Sequence, residues 1–160
     1  MLRLSTKSQY GVRAMFEIAN GYNSGPVTIK EIAEKQSVSI PYLEQILNTL
    51  RKAGIIKSVK GPGGGYVLSK EPVNISIGAI LRELDGPVAI TSCLDPKEGC
   101  MRIDGCVTHL LWKSLGQKIE AFLDNMTLQD LLEGQPSAVV CRSSRKKKGE
   151  RKESLIKLAL

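Results

Sequence analysis

Three of the four cysteines lie close together in the middle of the chain, and the only histidine follows them. Cys93, Cys100 and Cys106 fall within 14 residues, and His109 comes three positions after the last of them. Thiolates bind iron and zinc alike, so the ligand type does not choose between the two metals. Zinc knuckles usually contain cysteine pairs two to four residues apart, and this chain has no such pair. The spacing therefore favours a larger cluster held along an open loop.

The rest of the chain suggests that these thiols are reduced. The first ten residues lack the apolar run of a secretory signal, and no stretch approaches the roughly 20 apolar residues needed to span a bilayer. The expected location is therefore the cytoplasm, where thiols bind metal or react instead of forming disulfides. Cys141 lies far from the other three cysteines and is interpreted as a free thiol.

The cysteine segment separates two helical patterns. Residues 91–105 show no periodicity and contain Pro96, Gly99 and Gly105, which predicts a loop. Residues 106–126 then form the longest helical pattern, in which Cys106 and His109 share one face of the first turn. Its apolar stripe comprises Leu111, Leu115, Ile119, Phe122 and Met126. Because this is more apolar surface than a small domain covers, we expect the helix to pair with its copy in a second subunit.

The first third of the chain predicts a helix-turn-helix. One helix covers about residues 8–20. Thr28 and Glu31 form a capping box for a second helix that ends near Gln36, and Ser39 with Pro41 begins a third. The third helix carries an apolar stripe that should face the core, formed by Leu43, Ile46, Leu47 and Leu50.

A β-hairpin should follow directly. Residues 55–60 and 66–69 are typical of strands, and residues 61–65 between them comprise four glycines and a proline. A helix-turn-helix followed by such a hairpin predicts a winged helix. A fourth helix is expected over residues 76–85, ended by Gly86 and Pro87.

These elements predict a mainly α fold: a winged helix-turn-helix with a small β-hairpin wing, plus a long dimerisation helix. We expect residues 1–86 to form the DNA-binding domain and 87–107 a cluster-binding loop. Residues 108–134 would then supply the dimerisation helix and a short helix after it, and 135–160 a flexible basic tail.

The net charge of +7 is distributed unevenly. Residues 1–70 hold ten Lys or Arg and four acidic residues. Residues 71–135 hold five basic and ten acidic residues, and residues 136–160 hold eight basic and two acidic residues. A basic first region suits a surface that faces phosphates, whereas DNA would repel the acidic middle. The basic end either adds nonspecific DNA affinity or only improves solubility. No nucleophile lies beside a base and no acidic pair resembles a metal site, so an enzyme is not expected.

The chain resembles the Rrf2 family of bacterial regulators, and within it the iron-sulfur cluster regulators most closely. The resemblance covers about residues 1–133, and the glycine-rich wing is its most specific part. The matching segments are residues 10–12, 39–47, 50–52, 60–66, 108–109, 111–112 and 125–128, together with the three clustered cysteines.

The resemblance implies binding to promoter DNA, with the third helix in the major groove and the wing in the minor groove. The contacts carried over are Ser39, Tyr42, Glu44, Arg51, Lys60, Gly63 and Gly64. Arginine can bond guanine bidentately, and glutamate can accept from the amino group of cytosine. Two positions depart from the family pattern. Pro41 replaces a serine, and Lys60 stands where an arginine is usual, which predicts poorer minor-groove reading.

The resemblance also implies a cofactor. Its Cys-x2-His pattern makes Cys93, Cys100, Cys106 and His109 the expected ligands of a [2Fe-2S] cluster, delivered by the iron-sulfur assembly machinery. The implied function is a homodimeric regulator, expected to be a repressor, that controls iron-sulfur assembly genes according to cluster status. An alternative is a nitric oxide or iron sensor with a [4Fe-4S] cluster. A carrier of clusters or electrons would need no wing.

Overall fold

The computed structural model describes residues 4–87, 90–91, 94 and 105–134, and the account below concerns these residues. They form six α-helices, one short 3-10 helix and a two-stranded sheet. The elements are α1 (Thr6–Asn20), α2 (Ile29–Gln36), α3 (Ile40–Lys52), β1 (Ile56–Val59), β2 (Gly65–Leu68), the 3-10 helix (Pro72–Asn74), α4 (Ile77–Asp85), α5 (Val107–Asn125) and α6 (Leu128–Leu132). The predicted class, a mainly helical winged helix, is confirmed.

Helix α1 begins two residues earlier than the apolar pattern indicates. The hydroxyl of Ser5 accepts a hydrogen bond from the backbone N–H of Ser8 at 3.0 Å and so caps the helix. The carboxylate of Asp85, at the end of α4, accepts hydrogen bonds from the hydroxyls of both serines. The start of α1 is therefore bonded to the end of α4, directly before the predicted cysteine loop.

The predicted caps of the helix-turn-helix are present. Thr28 and Glu31 form the capping box of α2, and Ser39 precedes α3. A buried carboxylate, Glu17 of α1, accepts hydrogen bonds from Lys35 at 3.1 Å and Gln36 at 2.7 Å. These bonds satisfy the buried charge and hold the end of α2 against α1.

The core lies between α1, α2, α3 and α4. The predicted stripe of α3 is fully buried there, beside Met15 and Ile18 of α1, Ile32 of α2 and Ile80 of α4. At roughly 25 cal/mol for each square ångström of apolar surface removed from water, such side chains provide most of the stabilisation of this domain. The other three helices hold α3 in a fixed orientation.

The wing is an antiparallel hairpin in which Ile56 pairs with Leu68 and Val59 with Gly65. It is attached to the helix-turn-helix by two backbone hydrogen bonds between Val27 and Tyr66, of 3.0 Å and 2.8 Å. A side chain at Gly65 would collide with the backbone of Val27. This close approach therefore requires glycine and fixes the wing beside α2.

Helix α5 leaves most of its apolar side chains uncovered by the described residues. Leu110 and Leu111 are 69% and 57% exposed, and Gly116 is the only residue of this helix that is buried. Its carboxyl end is joined to α4, because Ile77 donates to Met126 at 2.8 Å and Leu128 donates to Ile75 at 3.0 Å. Within the described residues, no helix combines the length and apolar character that crossing a membrane requires.

Candidate DNA interface and cysteine site

An open depression of about 510 Å³ separates α3 from the wing. Its walls are mostly polar side chains of α3, with two residues of the hairpin opposite them. The lining residues are Pro41, Glu44, Gln45, Asn48, Arg51, Ser58 and Tyr66. An exposed helix face beside a hairpin offers hydrogen-bonding groups at the spacing that base edges in a groove can meet.

Two of the predicted DNA contacts, Glu44 and Arg51, lie together in this depression. The guanidinium of Arg51 donates to the side-chain oxygen of Asn48 at 2.8 Å, which leaves its other donors free among the described residues. Gln45 and Asn48 share the wall with them, and we did not predict these two as contacts. Their spacing on α3 could have identified them from the sequence, because residues three and four apart lie on one helix face.

The other two predicted contacts of α3 lie outside the depression. Ser39 is exposed, and its hydroxyl makes no capping bond to α3. Tyr42 is half-buried and packs against the core, with its ring edge-on to Tyr10 at a centroid distance of 6.1 Å. The ring of Tyr42 is therefore only partly exposed, because it packs against Tyr10 of α1.

The tip of the wing has the shape that the glycine run predicts. Gly61 and Gly63 adopt positive φ angles of 105° and 76°, which favour glycine. At Gly64 a side chain would collide with the carbonyl oxygen of Val59 and lie 2.8 Å from that of Gly61. Lys60 is exposed beside this turn. The backbone of the tip can thus approach another surface closely, with the cation of Lys60 next to it.

Cys106 and His109 lie together at the start of α5. Cys106 occupies the N-cap position, although it makes no side-chain capping bond. Its Sγ lies 3.1 Å from the hydroxyl of Thr108, and this contact, together with the backbone of His109, lowers the pKa of the thiol. A lowered pKa favours the thiolate, which is the form that binds metal.

The environment of His109 fits a ligand role. Its Nδ1 is buried and has no hydrogen-bond partner among the described residues. A buried polar atom without a partner is costly, and metal coordination would satisfy it. Cysteine is also a poor N-cap residue, so its presence at the start of α5 suggests another role. Cys93 and Cys100 lie outside the described residues. Within those residues no three metal-binding side chains converge.

Comparison with known proteins identifies the family. The family model of Rrf2, described as an iron-dependent transcriptional regulator, matches residues 4–134. The chain belongs to the Rrf2 family. The resemblance noted from the sequence is thus confirmed.

Named relatives narrow this assignment within the Rrf2 family. The HTH-type transcriptional regulator IscR of Serratia proteamaculans is 44% identical over 139 residues, which cover 87% of this chain and 84% of the relative. IscR of Yersinia enterocolitica is also 44% identical, over 84% of this chain and 81% of its own length. This chain is accordingly an IscR-type, DNA-binding transcriptional regulator, and its relatives are regulators, not enzymes.

Solved Rrf2-family structures agree with the fold. The IscR structure from T. potens is 43% identical, with a TM-score of 0.69, and the match covers 83% of this chain and 88% of that one. The global cysteine regulator CymR of B. subtilis is 38% identical, with a TM-score of 0.71, covering 84% of this chain and 99% of that one. The IscR and CymR structures therefore share the winged-helix architecture of this chain.

Proposed function

We propose that this protein is a cytoplasmic homodimer that binds operator DNA and regulates transcription, as a repressor, according to an iron-sulfur cluster. In this proposal residues 1–86 bind DNA, residues 87–107 bind the cluster and residues 108–134 form the dimer. The observation that carries it is the open polar depression between α3 and the wing.

The exposed groups suit double-stranded DNA. We assign α3 to the major groove and the wing tip to the minor groove. Arg51 would bond guanine or a phosphate, and Glu44 would accept from cytosine or reject other bases. The remaining proposed contacts are Ser39, Tyr42, Lys60, Gly63 and Gly64.

A matched pair of variants tests this docking. Arg51 lines the depression, whereas the neighbouring Lys52 is exposed on α3 but does not line it. The probe is a duplex selected by the wild-type protein from a random pool, compared with a scrambled duplex of equal length. We expect Arg51→Ala to lower affinity for the selected duplex by roughly 10- to 100-fold for each half-site of the dimer, the value of one bidentate contact, and to reduce its preference over the scrambled duplex. Lys52→Ala should lower the affinity for both duplexes by the same factor. Equal effects from the two variants would refute the proposed docking.

The exposed apolar face of α5 supports the homodimer. Leu110 and Leu111 would be costly to leave in water, and a twofold interface would bury them twice. The carboxyl end of α5 is joined to α4, so the same helix would connect the partner subunit to the winged helix.

For the cluster, we propose Cys93, Cys100, Cys106 and His109 as ligands, and a [2Fe-2S] centre as the group held. The lowered pKa of Cys106 and the unpartnered Nδ1 of His109 support this set. The bound group would supply a labile, redox-active iron centre, loaded by the assembly machinery. Ligation by residues of both the loop and α5 would order the loop against this helix, which would change the DNA sites that the dimer prefers.

Spectroscopy on protein purified without oxygen tests the ligand set. We expect Mössbauer spectra with two iron environments, one with a nitrogen ligand, and we expect His109→Cys, which replaces the nitrogen ligand by a thiolate, to remove that difference. Cys106→Ala should abolish the visible absorption of the cluster, whereas the control Cys141→Ala should preserve it. A four-iron spectrum that His109→Ala does not alter would instead favour the [4Fe-4S] sensor. If Cys93→Ala loses the cluster but leaves every DNA affinity unchanged, the coupling is refuted.

A further inference from the structure

An arginine of α1 lies on an aromatic pair that leads to the first turn of α3. The guanidinium carbon of Arg13 is 5.5 Å from the centre of the Tyr10 ring, a cation–π distance. The same ring meets the edge of Tyr42, the third residue of α3. Arg13 therefore contacts a ring that itself contacts the first turn of the helix that we assign to the major groove.

The charge of Arg13 is not paired within the part of the chain that the structure describes. Its side chain is exposed, and its guanidinium makes no hydrogen bond or ion pair with any residue that the structure describes. The acid one turn further along α1, Glu17, accepts from Lys35 and Gln36 instead. Arg82, by contrast, is paired with Asp124 at 2.7 Å.

We propose that Arg13 binds a DNA phosphate that flanks the site read by α3, and that the ring of Tyr10 positions it there. An aromatic face limits the orientations of the guanidinium without consuming its N–H donors, so less entropy is lost when those donors bind an anion. A phosphate contact carries no sequence information but fixes the register of the helix in the groove. The inference rests on the proposed docking of α3.

Salt dependence of binding distinguishes a phosphate contact from a structural role. Each phosphate neutralised contributes about −0.9 to the slope of log K against log salt concentration. In the dimer, Arg13→Gln should therefore reduce the magnitude of the slope by about 1.8. It should also lower the affinity for the selected and the scrambled duplex by the same factor, because a phosphate contact does not read bases.

Two further variants serve as controls. They and Arg13→Gln are made in the full-length protein. Arg13→Lys keeps the charge but loses the planar group, so the slope should be retained while affinity falls modestly. Lys70→Gln removes an exposed charge that follows β2, and it should leave the slope unchanged. An unaltered slope in Arg13→Gln would overturn the inference, as would a loss confined to the selected duplex.

Two comparisons separate this inference from the docking on which it rests. If Arg51→Ala removes the operator preference while Arg13→Gln keeps the full slope, only the role of Arg13 is refuted. If Arg13→Gln raises the dissociation constant of the dimer and leaves the slope unchanged, Arg13 belongs to the subunit interface and the inference again fails.

Discussion

Helices α3 and α5 carry similar apolar stripes but lie in opposite surroundings. The stripe of α3 is fully buried between three other helices. Along α5, Leu110 and Leu111 are more than half exposed to solvent among the described residues. The winged helix thus closes its own core, whereas α5 presents an apolar surface that the described residues leave exposed. Five predictions test this comparison of the two regions.

The largest effect is expected in the core of the winged helix. Leu47→Ala should lower the free energy of unfolding by about 3 kcal/mol, because it removes buried methyl groups and leaves a cavity. The matched change Leu111→Ala should cost much less in a protein dilute enough to be monomeric. Denaturant titrations at the same concentration give both values. Equal losses would show that α5 is covered within its own subunit.

The second prediction concerns the uncovered face of α5. Leu111→Glu should weaken the dimer by roughly 2 kcal/mol, or about 30-fold in Kd, because a charge would replace a side chain buried at the interface. Sedimentation velocity over a dilution series measures this change. The control Gln117→Glu alters an exposed polar position of the same helix and should leave Kd unchanged. A dimer unaffected by Leu111→Glu would refute pairing through this face.

The starts of α2 and α5 also differ, and the third prediction uses that difference. Thr28→Ala removes a capping box and should cost about 1 kcal/mol in thermal or denaturant unfolding. Cys106→Ala should cost less in cluster-free protein, since Cys106 makes no capping bond. A larger loss of stability in Cys106→Ala than in Thr28→Ala would mean that Cys106 by itself stabilises α5.

The same capping box predicts a pH dependence. Hydrogen bonds from the backbone and hydroxyl of Thr28 lower the pKa of Glu31. Since the folded protein favours the carboxylate, this stabilisation is present above the ordinary pKa of glutamate and is lost as the pH falls through the lowered value. Glu31→Gln should remove that part of the acid sensitivity in unfolding curves recorded across the acidic range. An unchanged curve would contradict the assignment.

The smallest effect is expected at the joint between the two regions. Arg82 of α4 and Asp124 of α5 form an ion pair of 2.7 Å, in which both side chains are about two-fifths exposed. Because water screens such a pair, a double-mutant cycle with alanine should give a coupling of about 0.5 kcal/mol. A coupling well above this value would mean that the ion pair, and not the backbone bonds of Ile77 to Met126 and of Leu128 to Ile75, holds α5 in place.

Much of the local structure could be predicted from the sequence. The capping box at Thr28, the end of α2 at Gln36 and the glycine-rich turn all follow from residues that are neighbours in the chain. The short 3-10 helix over Pro72–Asn74 was not predicted, because three residues are too few to show a period. The start of α1 was also missed, since Ser5 lies outside the apolar repeat that defined the helix.

The candidate DNA site was predicted in part. The face of α3 that includes Glu44 and Arg51 follows from helical spacing, and Gln45 and Asn48 could have been found in the same way. That Tyr42 packs on Tyr10 could not, because the two residues are brought together only by the crossing of α1 and α3. The same crossing links Arg13 to α3, because its guanidinium lies over the Tyr10 ring, which meets Tyr42.

The sequence by itself determined which segments are α-helical, the bounds of each to within about two residues, and which face of each is apolar. These properties depend on hydrogen bonds and side chains within a few residues of one another. Only the tertiary structure decided what covers each face. Ser8 and Asp85 are 77 residues apart and bonded at 2.6 Å, and the stripe of α3 is buried while that of α5 is not. Each apolar surface of the chain can pack against several others, and periodicity does not show which packing has the lowest free energy.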